Sequence, residues 1–221
     1  MNRASSLLRK AAIDFQYLLN RGFPRRPSLE LVGNRYGLSY DQRHLLHRGV
    51  FSDGDAKARK RKKVPLHALH DQDLAIDGHN VLITIEAALS GRPLISSNEG
   101  FIRDISGLSG DFRRTEVTGK AIGLVFEFLR KVKPRYTLFL FDAPISKSGL
   151  LAREVRERLS GEGLPGDAQA VKVPEKAILG FRGVVATSDT AVIDRARAAF
   201  DLAGYLVKNR IKPKSLLKLK L

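Results

Sequence analysis

The chain has 221 residues, 43% of them hydrophobic and 28% charged. That balance lies close to the soluble globular average and excludes a fully disordered or collagen-like chain. The absence of cysteine excludes disulfides, thiol nucleophiles and thiolate metal sites, and with them zinc fingers and dithiol redox motifs. The length predicts one core of about 150 residues plus a smaller appendage. The opening MNRASSLLRKAAIDF is interrupted by Arg9, Lys10 and Asp14. It therefore offers no signal-peptide core, and no later stretch approaches the roughly 20 apolar residues of a membrane span. A cytoplasmic protein with no membrane partner is expected.

The formal charge of +16 is unevenly spread. Residues 1–63 hold 15 Lys/Arg against 5 Asp/Glu, and the last fifteen residues hold six Lys/Arg and no acid, so the body between is neutral. Basic ends flanking a neutral body suit a polyanion, and the run from Lys57 to Lys63, containing Lys60, Arg61 and Lys62, has the form of a phosphate patch. A Lys-rich surface that only confers solubility, or a tail lying on acidic headgroups, are the blander readings.

In chain order, Ser5 or Ser6 is expected to cap a first helix carrying Leu7, Leu8, Ala11, Ala12, Phe15, Leu18 and Leu19, which Gly22 stops. A second helical stretch starts at Ser28 and breaks at Gly37. Ser39-Tyr40-Asp41-Gln42 has capping-box spacing ahead of a third helix that ends at Gly49. Residues 1–52 thus form a basic helical domain, and residues 53–66 read as an exposed basic linker. After the linker, β-rich runs alternate with helical ones: 74–80, 115–132, 136–144, 148–159, 168–174 and 183–189, followed by a helix over 190–204. This alternation predicts an α/β domain over residues 67–207 with a mainly parallel sheet, followed by a basic tail over 208–221.

Three of the β-rich runs finish on an aspartate: Asp77, Asp142 and Asp189. The carboxyl ends of parallel strands line one rim, so the three can meet in space. Crowded carboxylates repel unless a cation neutralises them, and oxygen-only donors favour Mg²⁺ or Mn²⁺. Such an ion polarises a phosphoryl oxygen and lowers the pKa of bound water, chemistry suited to phosphodiester hydrolysis. Taken singly, Asp77-Gly78 also reads as a turn, and Asp142 and Asp189 as loop or helix caps.

These residues carry a resemblance. Asp77-Gly78-His79-Asn80-Val81 after an apolar strand is similar to the D-G-x-N-V/L opening of NYN and PIN-like nuclease domains, and Thr187-Ser188-Asp189 with Asp194 to their late acidic segment. Nearly the whole chain also resembles a family of uncharacterised, mostly archaeal proteins. In these a basic N-terminal domain of unknown function (DUF434-like), containing LVGNRYGLSYDQRHLLHRGVF, precedes a PIN-like domain containing DGHNVLITIEAALSGRP and FDAPISKSG. The resemblance implies a Rossmann-like three-layer α/β/α fold and a Mg²⁺-dependent ribonuclease site. Asp77 matches the first-strand metal ligand, Asp189 the late acid and Asp142 the central-strand acid. Asn80 matches the motif asparagine that holds the Asp77 loop or a phosphate, with Ser188 beside it. Further acids are offered by Glu86, Asp104 or Asp194, with Glu86 also readable as a solvated helix residue and Asp194 as facing away.

Lys147, before a helix, can meet a phosphate or be an ordinary exposed lysine. His44 and His47 lack further ligands and read as surface histidines. Asn34-Arg35-Tyr36 combines amide, guanidinium and aromatic ring for nucleic-acid contact, with Tyr36 equally placed in a small core. The expectation is a divalent-metal-dependent nuclease acting on nucleic acid, RNA foremost, with a homodimer allowed. The alternative is a non-catalytic RNA-binding or RNP-assembly protein on a degenerate PIN-like fold.

Overall fold

A computed structural model of the chain describes residues 3–105, 114–145 and 147–219. The chain opens with α1 (Arg3–Asn20), α2 (Arg25–Arg35) and α3 (Tyr40–Gly49). Helix α1 begins ahead of Ser5 and Ser6, the expected caps, and α2 starts after Pro24 rather than at Ser28. The capping box of α3 forms as its spacing predicts: the amide of Gln42 donates to Ser39 Oγ and the amide of Ser39 to Gln42 Oε1. Ala11, Ala12, Phe15, Val32, Leu45 and Leu46 close a small core between the three helices.

Residues 53–62, expected as exposed linker, form helix α4 (Asp53–Lys62). The segment lacks an apolar stripe, but Ser52 caps it through the Asp55 amide. Asp53 and Asp55 occupy its first turn and Arg59 to Lys62 its last, complementing the helix dipole at both ends. Asn20 of α1 fixes its start, donating to Asp53 Oδ2 at 2.8 Å and accepting from the Asp53 amide at 2.7 Å.

A short 3₁₀ turn (Leu66–Leu69) leads into β1 (Asp73–Asp77), α5 (Gly78–Leu89), β2 (Leu94–Ser96) and β3 (Ile102–Asp104). Then follow α6 (Glu116–Val132), β4 (Tyr136–Asp142), α7 (Ser148–Gly161), β5 (Gly166–Val171), α8 (Pro174–Leu179), β6 (Val184–Ala186), α9 (Thr190–Arg195), β7 (Ala199–Phe200), α10 (Leu202–Leu206) and β8 (Leu216–Lys218). The single helix expected over 190–204 is thus divided by β7. Strands β2 and β3 carry no sequence alternation long enough to mark them.

The main sheet runs β5-β4-β1-β6-β7, and every pairing in it is parallel. Counting only its own strands in chain order, this is 3-2-1-4-5, five strands of the doubly wound order 3-2-1-4-5-6. Side chains alternate between two helical layers. Leu74, Ile76, Phe139, Phe141, Val184 and Ala186 pack with residues of α5, α6, α7 and α10, whereas Leu140 and Val185 meet α8 and α9. The architecture is a mixed α/β fold with a helical N-terminal region and a parallel five-stranded sheet.

A second sheet, β3-β2-β8, joins the two parts. Its last strand comes from the stretch expected as a tail, and pairs in parallel with β2 from Leu94↔Leu216 to Ser96↔Lys218. Ile95 and Leu219 pack into the N-terminal helical core.

Candidate functional site

The direction in which the sheet grows reverses between β1 and β6: β4 and β5 are added on one side of β1, β6 and β7 on the other. Open parallel sheets leave a crevice beyond the carboxyl ends of the strands at such a switch point. Asp77 ends β1, Thr187-Ser188-Asp189 follows β6, and Asp142 ends β4, the other neighbour of β1.

Register puts Asp77, Asp142 and Thr187 on one face. Asp77 pairs with Leu140, so Asp142, two residues on, shares its parity. Ile76 pairs with Ala186, which brings Thr187 level with Asp77. A two-residue offset on a neighbouring strand separates the Cα atoms of Asp77 and Asp142 by about 8 Å, from the strand rise and spacing.

Gly78 lets α5 start this close to the sheet. A Cβ there would lie 2.3 Å from Phe141 Cε1 and 3.0 Å from the Leu140 carbonyl oxygen. Asp77, 8% exposed, accepts from Thr187 Oγ1 at 2.7 Å. Asn80 Oδ1 accepts from the Ser188 amide at 2.8 Å and from Ser188 Oγ at 3.0 Å. The motif asparagine thus ties the β1–α5 junction to the β6 loop. Asp189 caps α9 through the Val192 amide at 3.1 Å and donates its own amide to Thr187 Oγ1 at 3.0 Å. The half-buried Asp142 stands beside His79, whose Nδ1 accepts from the Asp142 amide at 3.0 Å and lies 3.1 Å from Oδ2.

The other acids divide. Asp104 is buried on β3 and, with Asp189, lends electrostatic support to the half-buried Arg48, whose guanidinium is nonetheless held below its usual pKa, first by burial and then by Arg103. Asp194 is clamped by Arg59, from Nε to Oδ1 at 2.6 Å and Nη2 to Oδ2 at 2.8 Å, and so is a structural partner of α4. Glu86 is buried in α5, against the solvated reading, and burial raises its pKa despite a hydrogen bond from Thr118. Among the described residues, no three His, Asp or Glu side chains are gathered closely enough to hold a metal ion.

Of the basic run, Lys57, Lys60 and Arg61 are exposed. Lys62 instead turns inward, donating to the backbone carbonyls of Ile193, at 3.1 Å, and Asp194 near the end of α9. Lys147 is exposed in a left-handed conformation before α7. Asn34 and Arg35 belong to the N-terminal helices: Asn34 Oδ1 accepts from Arg43 at 3.0 Å, and Arg35 lies 3.7 Å from Asp14, to which the Tyr36 hydroxyl donates at 2.7 Å. His44 is half-buried, its Nδ1 2.7 Å from the Ile105 carbonyl oxygen. His47 is held neutral, its pKa lowered to about 4 by burial, Arg25, His44 and Arg48 in that order.

Composition and spacing gave no notice of a buried ionic group below α4. Glu99, fully buried, accepts from Arg59 Nη1 at 2.7 Å and from Arg103 Nη2. Arg103, 1% exposed, also donates to the carbonyls of Ser188, at 2.7 Å, and Arg48, at 3.3 Å. The signal available was an arginine inside the short apolar run FIRD.

Residues 66–205, which contain the whole main sheet, match the family described as Domain of unknown function (DUF5616). The chain belongs to the DUF5616 family. Residues 7–62 of this DUF5616 protein match a second family, Protein of unknown function (DUF434), a stretch that includes α4 to its last residue. The DUF5616 chain is 35% identical over 186 residues to an uncharacterized protein of Methanocaldococcus jannaschii, covering 84% of this chain and 88% of that one. No solved structure matches it significantly. Neither family description names a PIN or NYN nuclease. No helix among the described residues is long and apolar enough to cross a membrane.

Proposed function

We propose that this DUF5616 protein is a divalent-metal-dependent nuclease, with RNA as the favoured substrate, working at the rim formed by Asp77, Asp142 and Asp189. The observation that carries the reading is placement: three aspartates end or follow three neighbouring parallel strands at the sheet's switch point. Their oxygen donors suit Mg²⁺ or Mn²⁺ in kind, although each carboxylate is at present turned to a protein partner. Bound there, the ion would supply Lewis-acid activation of a phosphodiester. Asn80 and Thr187 tie the end of β1 that carries Asp77 to the loop that carries Asp189.

The exposed cations of α4 support a polyanionic substrate. Helix α4 is docked to α9 at Ile193 and Asp194, so about 7.5 Å of helix, five residues at 1.5 Å each, separates it from the Asp189 cap. Exposed cations on a helix so docked, Lys57, Lys60 and Arg61, would attract a phosphate backbone to this part of the molecule.

The test is cleavage of end-labelled single-stranded RNA, structured RNA and matching DNA by the wild type and Asp142→Asn, with Mg²⁺ or Mn²⁺ and with chelator. The half-buried Asp142 allows that substitution without opening the core. Cleavage by the wild type alone, abolished by chelator, is the expected result. Equal retention of intact RNA by both proteins, with no cleavage under either metal, would establish the binding-protein alternative instead.

A further inference from the structure

A cavity of about 350 Å³ lies where the N-terminal helices meet the loop that follows β6. Four arginines from four different segments line it: Arg25 of α2, Arg48 of α3, Arg59 of α4 and Arg103 of β3. Phe51 lies beneath three of them, with the guanidinium carbons of Arg25, Arg59 and Arg103 at 4.5, 4.6 and 5.1 Å from its ring centroid. The lining includes one acidic side chain, the exposed Asp55, and reaches Thr190 immediately after Asp189.

The arginines fall into two kinds. Arg59 and Arg103 are committed, their nitrogens spent on Asp194, Glu99 and backbone carbonyls. This fixes their orientation and neutralises much of their charge. Arg25 and Arg48 form no salt bridge among the described residues, although Asp104 and Asp189 favour the charge of Arg48, and Glu99 and Asp55 that of Arg25. Arg25 uses Nη2 on the carbonyls of His47 and Val50 and Nε on His47, while Arg48 donates only Nε, to the Asp104 carbonyl at 3.3 Å. Nη1 of Arg25 and both terminal nitrogens of Arg48 thus have no acceptor among the described residues. The pKa of Arg25 is lowered to about 10, first by burial and then by Arg59 and Arg103. Half-buried cations that repel one another are stabilised by an anion between them, and guanidinium donors match the tetrahedral oxygens of phosphate. The volume suits a small phosphorylated molecule or the end of a strand.

We propose that this arginine-lined cavity is a phosphate-binding site that takes a phosphomonoester, with Arg25 and Arg48 as its ligand-contacting residues and Arg59 and Arg103 as the fixed frame. A nucleoside monophosphate and the terminal phosphate of an oligonucleotide share that chemistry. The site stands apart from the nuclease reading, because it needs neither a divalent ion nor the rim aspartates.

The experiment is isothermal titration of the full chain, in chelator, with inorganic phosphate, AMP, and a short oligonucleotide carrying either a 5′-phosphate or a 5′-hydroxyl. Saturable 1:1 binding of AMP or of the phosphorylated oligonucleotide is expected. Its affinity should fall about tenfold or more in Arg25→Gln and in Arg48→Gln, as loss of a charge-assisted hydrogen bond implies. Arg153→Gln, an exposed change of the same charge on α7, should leave it unchanged. Tight binding of AMP alone assigns the site to free nucleotides; a preference for the phosphorylated over the hydroxyl oligonucleotide, competed by AMP, assigns it to strand ends. Circular dichroism confirms that each variant is folded, and Arg48→Lys, which keeps the charge, should recover part of the affinity. Absence of saturable binding to any phosphate, or an equal loss in Arg153→Gln, overturns the proposal. Because no metal is present, that failure is distinct from a failure of the cleavage assay.

Discussion

Replacing Glu99 by alanine tests the ionic group that fastens α4 and β3 together. Glu99 is fully buried and accepts from two guanidiniums, one of which, Arg103, is itself 1% exposed. Arg59 keeps Asp194 after the change, and its pKa, which burial alone would lower, is held well above the ordinary value by hydrogen bonds to Asp194 and Glu99. Arg103 keeps only backbone carbonyls. Removing one member of a buried ion pair and leaving the other costs about 3–5 kcal/mol, a large part of the roughly 5–15 kcal/mol that holds a domain together. For a chain of this size that is a fall in Tm of about 6–20 °C. Urea unfolding of the wild type, Glu99→Ala and Glu99→Gln, followed by circular dichroism, gives the comparison. The glutamine variant keeps the shape and an acceptor, so its loss should be smaller than that of alanine. A loss below about 1 kcal/mol in Glu99→Ala would refute the reasoning, because it would place the group among solvent-screened pairs. Phosphate should recover part of the loss, since Arg103, left with backbone carbonyls alone, lines the proposed site.

Glu86→Gln should act in the opposite direction. Burial raises the Glu86 pKa above its ordinary 4.5, so the folded state binds that proton more tightly than the unfolded chain, and stability declines as pH rises through the interval between the two values. The glutamine variant should lack that decline and exceed the wild type at neutral pH, and parallel stability curves for the two proteins from acid to neutral pH would sink the argument. Gly78→Ala should destabilise by about 1–3 kcal/mol, the range for overpacking, because its Cβ would meet the fully buried Phe141. Thermal unfolding checks this, and an unchanged Tm would show that α5 can shift away from β4.

The strand-ending aspartates were legible because parallel strands buried on both faces read as short apolar runs, and a carboxylate closing each run stands out. The capping box of α3 was legible for a similar reason: its chemistry is local. Helix α4 was not, although Ser52, Asp53 and the terminal cations carried its capping signals, because the segment has almost no apolar residues and its burial rests on Ala56 and Arg59. An arginine in a basic run looks like surface until its partner is known. That partner, Asp194, lies 135 residues away, so no window of sequence contains both. Strand β8 escaped for the same reason, since Leu216 and Leu217 find β2 more than a hundred residues earlier. The arginine cavity combines four segments and has no motif at all.

The pairing of β8 with β2 also bears on how the protein is made. The helices of residues 3–49 leave the ribosome before the rest of the described chain, but the surface they pack against includes Ile95 and Leu219. Until residues 216–219 have been synthesised, that helical core is without Leu219, and β2 without its parallel partner. A segment translated early is therefore among the last to be locked in place, and ribosome-bound chains stopped short of residue 216 should show these helices more open to protease than the released protein.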